Sequence, residues 1–194
     1  MNKVILASKS PRRLELLTML GFDVTTVVSN VNEDSITADS PADLARKLAF
    51  LKAEAVYKEL NPDRIPIVAA DTLVEVNGQI LGKPKDAIDA KKMLMSLSGR
   101  PHYVHTGLSV IYCSAKISIT ESAKVYFRRI NDDEIDAYIK TGEPFDKAGA
   151  YGIQGRAGAF VDRIDGDYYS IMGLPICRLI TILRDTMGIS LDSF

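Results

Sequence analysis

Hydrophobic positions along the chain switch between a period near two and a period near 3.6, so strands and helices follow one another. The run Val4-Ile5-Leu6-Ala7 predicts a short buried strand. A polar turn follows from Ser8, and residues 11–20 place apolar side chains at helical spacing until Gly21 stops the pattern. Residues 23–28 predict a second strand and residues 29–39 a polar loop. Ser40-Pro41-Ala42-Asp43 has the signature of a helix start: a capping hydroxyl, a proline in the first turn and an acid close behind. That helix runs to about Leu60, with an apolar stripe through Leu44, Leu48, Leu51, Ala55 and Val56, and Asn61-Pro62 ends it.

The middle of the chain is richer in strands. Residues 65–70 form a continuous apolar run that ends at Asp71-Thr72, and residues 73–76 continue extended to Asn77-Gly78, a hairpin turn signal. Ile80-Leu81 returns, and residues 86–97 read as an amphipathic helix closed by Ser98-Gly99. Two long strand-like segments, 102–112 and 116–129, meet at Cys113-Ser114. Asn131-Asp132-Asp133-Glu134 has capping-box spacing for a short helix ending at Gly142. Residues 147–158 are glycine-rich, 159–165 alternate like a strand, and Leu174-Pro175 opens a last helix reaching about Met187. The mixture predicts an α/β or α+β fold around a mixed sheet. With no repeat and no long linker, one domain over residues 1–194 is expected.

Composition narrows the function classes. Apolar residues make up 46% and charged residues 25%, ordinary for a globular protein. A net charge of −1 supplies no basic field to draw the chain to nucleic acid or membrane, so neither is expected as a partner. Two distant cysteines, Cys113 and Cys177, imply no disulfide framework. Met1-Asn2-Lys3 leads into strand-like sequence without a signal-peptide core, and a reducing, cytoplasmic location is the expectation.

The candidate chemistry starts at Ser8-Lys9-Ser10-Pro11-Arg12-Arg13. Strand, tight turn and helix start together present backbone N–H groups and a positive dipole end to an anion. Pro11 suits the first helical position and Ser10 the N-cap. Two guanidinium forks match phosphate oxygens bidentately. The same hexapeptide also fits a capped helix with ordinary surface charges. Asp71, after a buried run, suits a metal ligand or a base, and equally a solvated turn acid. Lys52 lies one residue from its helix's apolar stripe, bordering a cleft or facing water. Glu33-Asp34 reads as solvated loop, or as oxygen ligands for magnesium or manganese. Gln154, central in the glycine-rich segment, has an amide able to read a base edge.

Several familiar sites are excluded. Gly78-Gln79-Ile80-Leu81-Gly82-Lys83-Pro84 is one residue short of a phosphate-binding Walker loop and has proline at the metal-binding hydroxyl position. The glycines at 149, 152, 155 and 158 do not have dinucleotide-fingerprint spacing. His102 and His105, three apart in a strand, point to opposite faces and make a poor metal pair. Ser109 lacks the second glycine of a nucleophile elbow.

Taken in order, Ser8-Lys9-Ser10-Pro11-Arg12-Arg13, Ala70-Asp71-Thr72, Gly82-Lys83-Pro84, Leu97-Ser98-Gly99, His105-Thr106-Gly107 and Gly149-Ala150-Tyr151-Gly152-Ile153-Gln154-Gly155 resemble the successive motifs of the Maf proteins. Those are nucleoside triphosphate pyrophosphatases, also described as septum-formation inhibitors. The resemblance runs from residue 5 to about 175, and only Lys9 fills a variable position. It implies the fold of inosine triphosphate pyrophosphatases, an elongated mixed sheet flanked by helices in two lobes with a central cleft. Arg13, Thr72 and Gln154 are similar to the branch acting on dTTP and UTP rather than the one for 7-methyl-GTP. The resemblance implies Asp71 as proton acceptor, with Lys52 and Lys83 as catalytic cations. Ser8, Ser10, Arg12 and Arg13 would bind phosphates, and Glu33 with Asp71 a divalent metal (Mg2+, Mn2+ or Co2+). A role in cleansing nucleotide pools, an arrest of septum formation and a homodimer are further expectations of the resemblance. Two alternatives remain at this point: a purine or modified-base triphosphate as substrate, or a nucleotide-binding regulator of division with little turnover.

Overall fold

The computed structural model describes residues 3–62 and 64–189, so the strand-like lead-in read at Met1-Asn2 falls outside the described part. The strands are β1 (Lys3–Leu6), β2 (Asp23–Thr26), β3 (Ile67–Val76), β4 (Gln79–Leu81), β5 (Pro101–Tyr112), β6 (Ala115–Phe127) and β7 (Val161–Asp165). The helices are α1 (Pro11–Met19), α2 (Pro41–Leu60), α3 (Ala87–Leu97), α4 (Asp132–Ile139), α5 (Tyr168–Met172) and α6 (Ile176–Thr181), the last continued by a π-helical turn, Ile182–Thr186. One seven-stranded sheet has the order β2-β1-β3-β5-β6-β7, with β4 paired on β3. β1 pairs in parallel with both β2 and β3, whereas β4 on β3 and β7 on β6 are antiparallel, so the sheet is mixed as expected.

Local chemistry explains most boundaries. Ser40 caps α2 by accepting from Asp43 N–H, with Pro41 in the first turn. Asn131 and Glu134 complete a reciprocal capping box on α4. Asn77 and Gly78 both take positive φ (51° and 79°), the paired left-handed conformation that a tight hairpin needs. Several expectations change, and residues 159 and 160 belong to a 3-10 turn, Arg156–Phe160, rather than to the last strand. The second strand stops at Thr26 rather than at 28, and α5 is a helix that the sequence pattern does not mark.

β3 differs in a way that matters for function. It runs unbroken through Asp71 and Thr72, so Asp71 lies within a ten-residue strand and not at a strand end. The polar pair looks like a stop in sequence, yet strand pairing uses backbone groups. A buried carboxylate is tolerated there once it has a charged partner.

The chain divides into two compact units. The first takes residues up to Asp71, then Thr106–Glu121 and the segment from Gly173 onward; the second takes Thr72–His105 and Ser122–Met172. In the first, Ile5, Ile67 and Ala69 of the sheet pack against Ala53 and Val56 of α2, with Ile111 of β5. Gly107 of β5 lets α2 come close, because a Cβ there would stand 2.1 Å from Ala45 O. In the second, Val74, Val104 and Phe127 of the sheet pack against Leu94 and Leu97 of α3 and Ile135 of α4. Each fully buried aliphatic side chain of this kind contributes about 1.5–3 kcal/mol.

Candidate active site

The parallel pairing of β1 with β3 fixes where both chains leave the sheet. Leu6 is level with Val68, and Ala7 N–H donates to Val68 O at 2.8 Å. Ser8 therefore emerges on β1 as β3 approaches Asp71. Ser8 Oγ accepts from Ser10 N–H (3.1 Å) and from Arg13 Nη1 (3.0 Å). Arg13 Nε donates to Gly173 O at 2.8 Å, so the guanidinium is held from two sides. Ser10 occupies the N-cap position, but its hydroxyl makes no capping bond. The N-cap position is the one expected from the sequence. Ser8 organises the turn instead, and the Ser10 hydroxyl takes no first-turn N–H of α1. Burial lowers the Arg13 pKa from its usual value, Asp71 opposes that shift, Arg12 adds to it and Glu33 opposes it more weakly. Arg13 thus lies within the electrostatic reach of both acids and of its neighbouring arginine.

Alternation along β3 puts Ile67, Ala69 and Asp71 on one face, the face covered by α2. Lys52 shares the buried side of α2 with Ala49, Ala53 and Val56. The two meet: Lys52 Nζ donates to Asp71 Oδ1 at 2.5 Å, with relative exposures of only 9% and 7% for the two residues. Of the two readings open for Lys52, facing water is excluded. Glu33, in the short 3-10 turn Glu33–Ser35, adds a second carboxylate, its Oε1 3.0 Å from the same ammonium. Glu33 is half exposed, as a solvated loop acid is, and its carboxylate also reaches this buried cation.

One ammonium between two carboxylates, with Arg13 in electrostatic reach of both, can orient a water, hold a base and carry phosphate charge. It also suits a divalent cation. Glu33 Oε1 and Asp71 Oδ1 converge on the one ammonium, which brings two carboxylates close together. Magnesium-type sites commonly use one or two carboxylates with substrate phosphates rather than an all-protein cage. No cluster of three or more His, Cys, Asp or Glu suited to metal occurs among the described residues.

Thr72, Lys83 and Gln154 belong to the second unit. Thr72 follows Asp71 in β3 and points to the opposite face. Lys83 is exposed after β4, and its neighbour Gly82 accepts from Gly149 N–H at 3.0 Å, which ties its segment to the glycine-rich one. Gln154 is exposed in a turn of that segment. His102 is buried against Phe127 and Tyr151, whereas His105 contacts Ser122 Oγ (2.8 Å) and Glu75 Oε2 (3.3 Å). The two rings do serve different surroundings. Ser109 is buried and donates to Ile117 O, as a structural hydroxyl does. Sequence reasoning missed Tyr138 and Glu143, which bind the backbone of the turn carrying Gln154. Their only sequence signal is a position shortly before the glycine-rich segment.

Among the described residues no helix is long and apolar enough to cross a membrane. A chain of Alkaliphilus oremlandii (strain OhILAs) named dTTP/UTP pyrophosphatase is 49% identical over 193 residues, covering 98% of this chain and 100% of that one. A Bacillus cereus (strain ZK / E33L) chain of the same name is 47% identical over 184 residues, covering 95% of each. Among solved structures, the Staphylococcus aureus Ham1 protein aligns with a TM-score of 0.55 at 15% identity, covering 95% of this chain and 99% of that one. A HAM1 protein from Coxiella burnetii aligns at 0.54 and 15%, covering 95% and 100%. At that identity the likeness concerns the fold alone, and it agrees with the mixed sheet seen here. The family model for Maf-like proteins matches residues 3–186, and with relatives near half identical over almost the whole length, the chain belongs to the Maf family.

Proposed function

We propose that this chain is a nucleoside triphosphate pyrophosphatase that hydrolyses dTTP and UTP between the α and β phosphates, releasing monophosphate and pyrophosphate. The observation that carries the chemistry is Lys52 bridging Asp71 and Glu33 within reach of Arg13. The substrate assignment follows the name carried by relatives that are 47–49% identical.

Asp71 accepts the proton of the attacking water, and Lys52 fixes the orientation of that carboxylate. Arg12, Arg13, Ser8, Ser10 and the start of α1 hold the phosphates and spread the charge of the departing pyrophosphate. The Ser8–Arg13 bond sets this cradle before substrate arrives. Glu33 and Asp71 would hold a divalent cation (Mg2+, Mn2+ or Co2+), which supplies charge neutralisation and acidifies bound water. Lys83 contributes further positive charge, and Arg13, Thr72 and Gln154 select the base, as the sequence resemblance implies. Thymine and uracil share an acceptor–donor–acceptor edge that a glutamine amide matches in part. A cytoplasmic house-cleaning role on nucleotide pools belongs to the same reading.

The deciding experiment is a nucleotide panel with pyrophosphate readout, run with magnesium, manganese and cobalt. UTP and dTTP lead the panel if the proposal is right; a purine triphosphate in first place overturns the substrate assignment. Tight dTTP binding with no monophosphate formed under any metal would leave a nucleotide-binding regulator instead.

A further inference from the structure

Gly155 N–H donates to Gly152 O at 3.0 Å, closing a turn with Ile153 and Gln154 at its corners. The side chain of Gln154 is exposed, but the backbone on both sides of it is gripped from within. Tyr138, in α4, accepts from Gly152 N–H at 3.4 Å through its Oη and donates to Glu143 Oε1 at 3.0 Å. Glu143 Oε2 accepts from Arg156 N–H at 3.1 Å. One phenol–carboxylate pair therefore holds the residue before the turn's corners and the residue after its end. Glu143 is itself anchored, because Lys147 Nζ donates to its backbone carbonyl at 2.7 Å. Gly155 makes the grip possible: a Cβ there would stand 1.9 Å from Glu143 Oε1. On the entering side Tyr151 is buried and shares a 2.8 Å hydrogen bond with His102 Nε2.

An exposed loop with no such attachments would let its central amide wander. An amide that discriminates between bases must be held within about 0.5 Å of its reading position, which requires support from neighbouring groups. A carboxylate buttress 11 positions away in sequence is costly to assemble merely to close a surface turn.

We infer that Tyr138 and Glu143 are positioning residues for base selection, holding the turn so that the Gln154 amide meets the pyrimidine edge at a fixed angle. This rests on the reading of the chain as a dTTP/UTP pyrophosphatase in which Gln154 faces the base. It adds a source of specificity that touches no substrate.

The test compares kcat/KM for UTP and CTP, which differ at the 4-position by an acceptor oxygen against a donor amine. The variants are Gln154→Ala, Glu143→Gln, Tyr138→Phe and the double Glu143→Gln/Gln154→Ala. Glu143→Gln lowers kcat/KM for UTP about ten-fold, mainly through KM, and narrows the preference over CTP, the scale of a lost hydrogen bond to a charged group. Tyr138→Phe shifts both in the same direction by less. The double variant is no worse than Gln154→Ala, because a residue acting through Gln154 has nothing left to position. Full UTP preference in both Glu143→Gln and Tyr138→Phe overturns the inference, and so do losses that multiply in the double variant. Thermal melting accompanies each variant; if Glu143→Gln does not fold, Tyr138→Phe and its double with Gln154→Ala carry the same comparison. A wild-type enzyme that does not prefer UTP overturns the functional reading first, whereas a selective wild type with equally selective variants overturns only the positioning role.

Discussion

Lys52 is the direct partner of Asp71, Nζ to Oδ1 at 2.5 Å across 19 positions of sequence. The contact joins β3 to α2, the longest helix among the described residues, and it holds the carboxylate in one orientation. Each residue alone would be a costly choice for that place, since an unpaired buried charge is strongly unfavourable.

If Asp71 takes the proton from water, Asp71→Asn keeps the size of the side chain and removes the acceptor. Turnover of dTTP falls at least about 100-fold while nucleotide binding persists, the range expected for a positioned base. Pyrophosphate release and equilibrium binding measured on one preparation separate the two effects. Near-normal turnover removes Asp71 from this role.

Removing the ammonium instead leaves two acids facing each other. Lys52→Ala destabilises the fold by about 3–5 kcal/mol, the cost of breaking a buried pair from one side. Lys52→Ala/Asp71→Asn recovers part of that loss because one of the stranded charges is gone. Urea unfolding of the two variants and the wild type checks the order. With Asp71→Asn measured alongside, single-variant losses that simply add in the double would mean that the pair is not coupled.

The phosphate cradle makes a third prediction. Arg13 donates through Nε to Gly173 O and through Nη1 to Ser8 Oγ, two directions that a single ammonium cannot reproduce. Arg13→Lys keeps the charge and loses the fork, so KM for dTTP rises about ten-fold or more, as for a lost charge-assisted bond. An unchanged KM would show that charge alone suffices.

What was legible in the sequence was local. The caps at Ser40 and Asn131 and the Asn77-Gly78 turn act within four residues, so their residue types announce them. The turn and helix start at Ser8–Pro11 were legible for the same reason, although the bonds that Ser8 Oγ accepts from Ser10 N–H and Arg13 were not. Lys52 stayed ambiguous because its burial depends on which face of β3 meets α2, a tertiary fact that helical spacing does not contain. Asp71 looked like the end of a strand because its paired cation lies on another element. The Tyr138–Glu143 support was invisible, since hydrogen bonds that these side chains accept from backbone N–H groups up to 14 positions away leave no pattern.

At Gly107 α2 comes close to the sheet, with a Cβ at that position 2.1 Å from Ala45 O. No rotamer relieves this contact, because the obstructing atom is backbone. Gly107→Ala therefore displaces α2, and Lys52 with it. Stability falls by about 3 kcal/mol, as overpacking does in a tight interior, and turnover falls in parallel. Thermal melting and dTTP hydrolysis read the two effects, and a wild-type melting point would show that the approach is less constrained than it looks.

The last prediction concerns pH. Burial lowers His102 from its usual value near 6.5 to about 4, and its ring is packed edge-on against Phe127 and Tyr151, with Tyr151 also raised by burial and so a neutral phenol. The folded protein thus keeps the imidazole neutral where the unfolded chain protonates it. Between about pH 6.5 and 4 the unfolded state binds more protons, so this stabilisation is complete above 6.5 and is lost as pH falls toward 4. The slope reaches at most about 1.4 kcal/mol per pH unit. His102→Gln, which cannot titrate, flattens that part of the profile while the carboxylates continue to act at lower pH. Urea midpoints measured from pH 7.5 down to 4 for both proteins give the difference directly. Parallel profiles would mean that His102 protonates equally easily in the folded and unfolded chains.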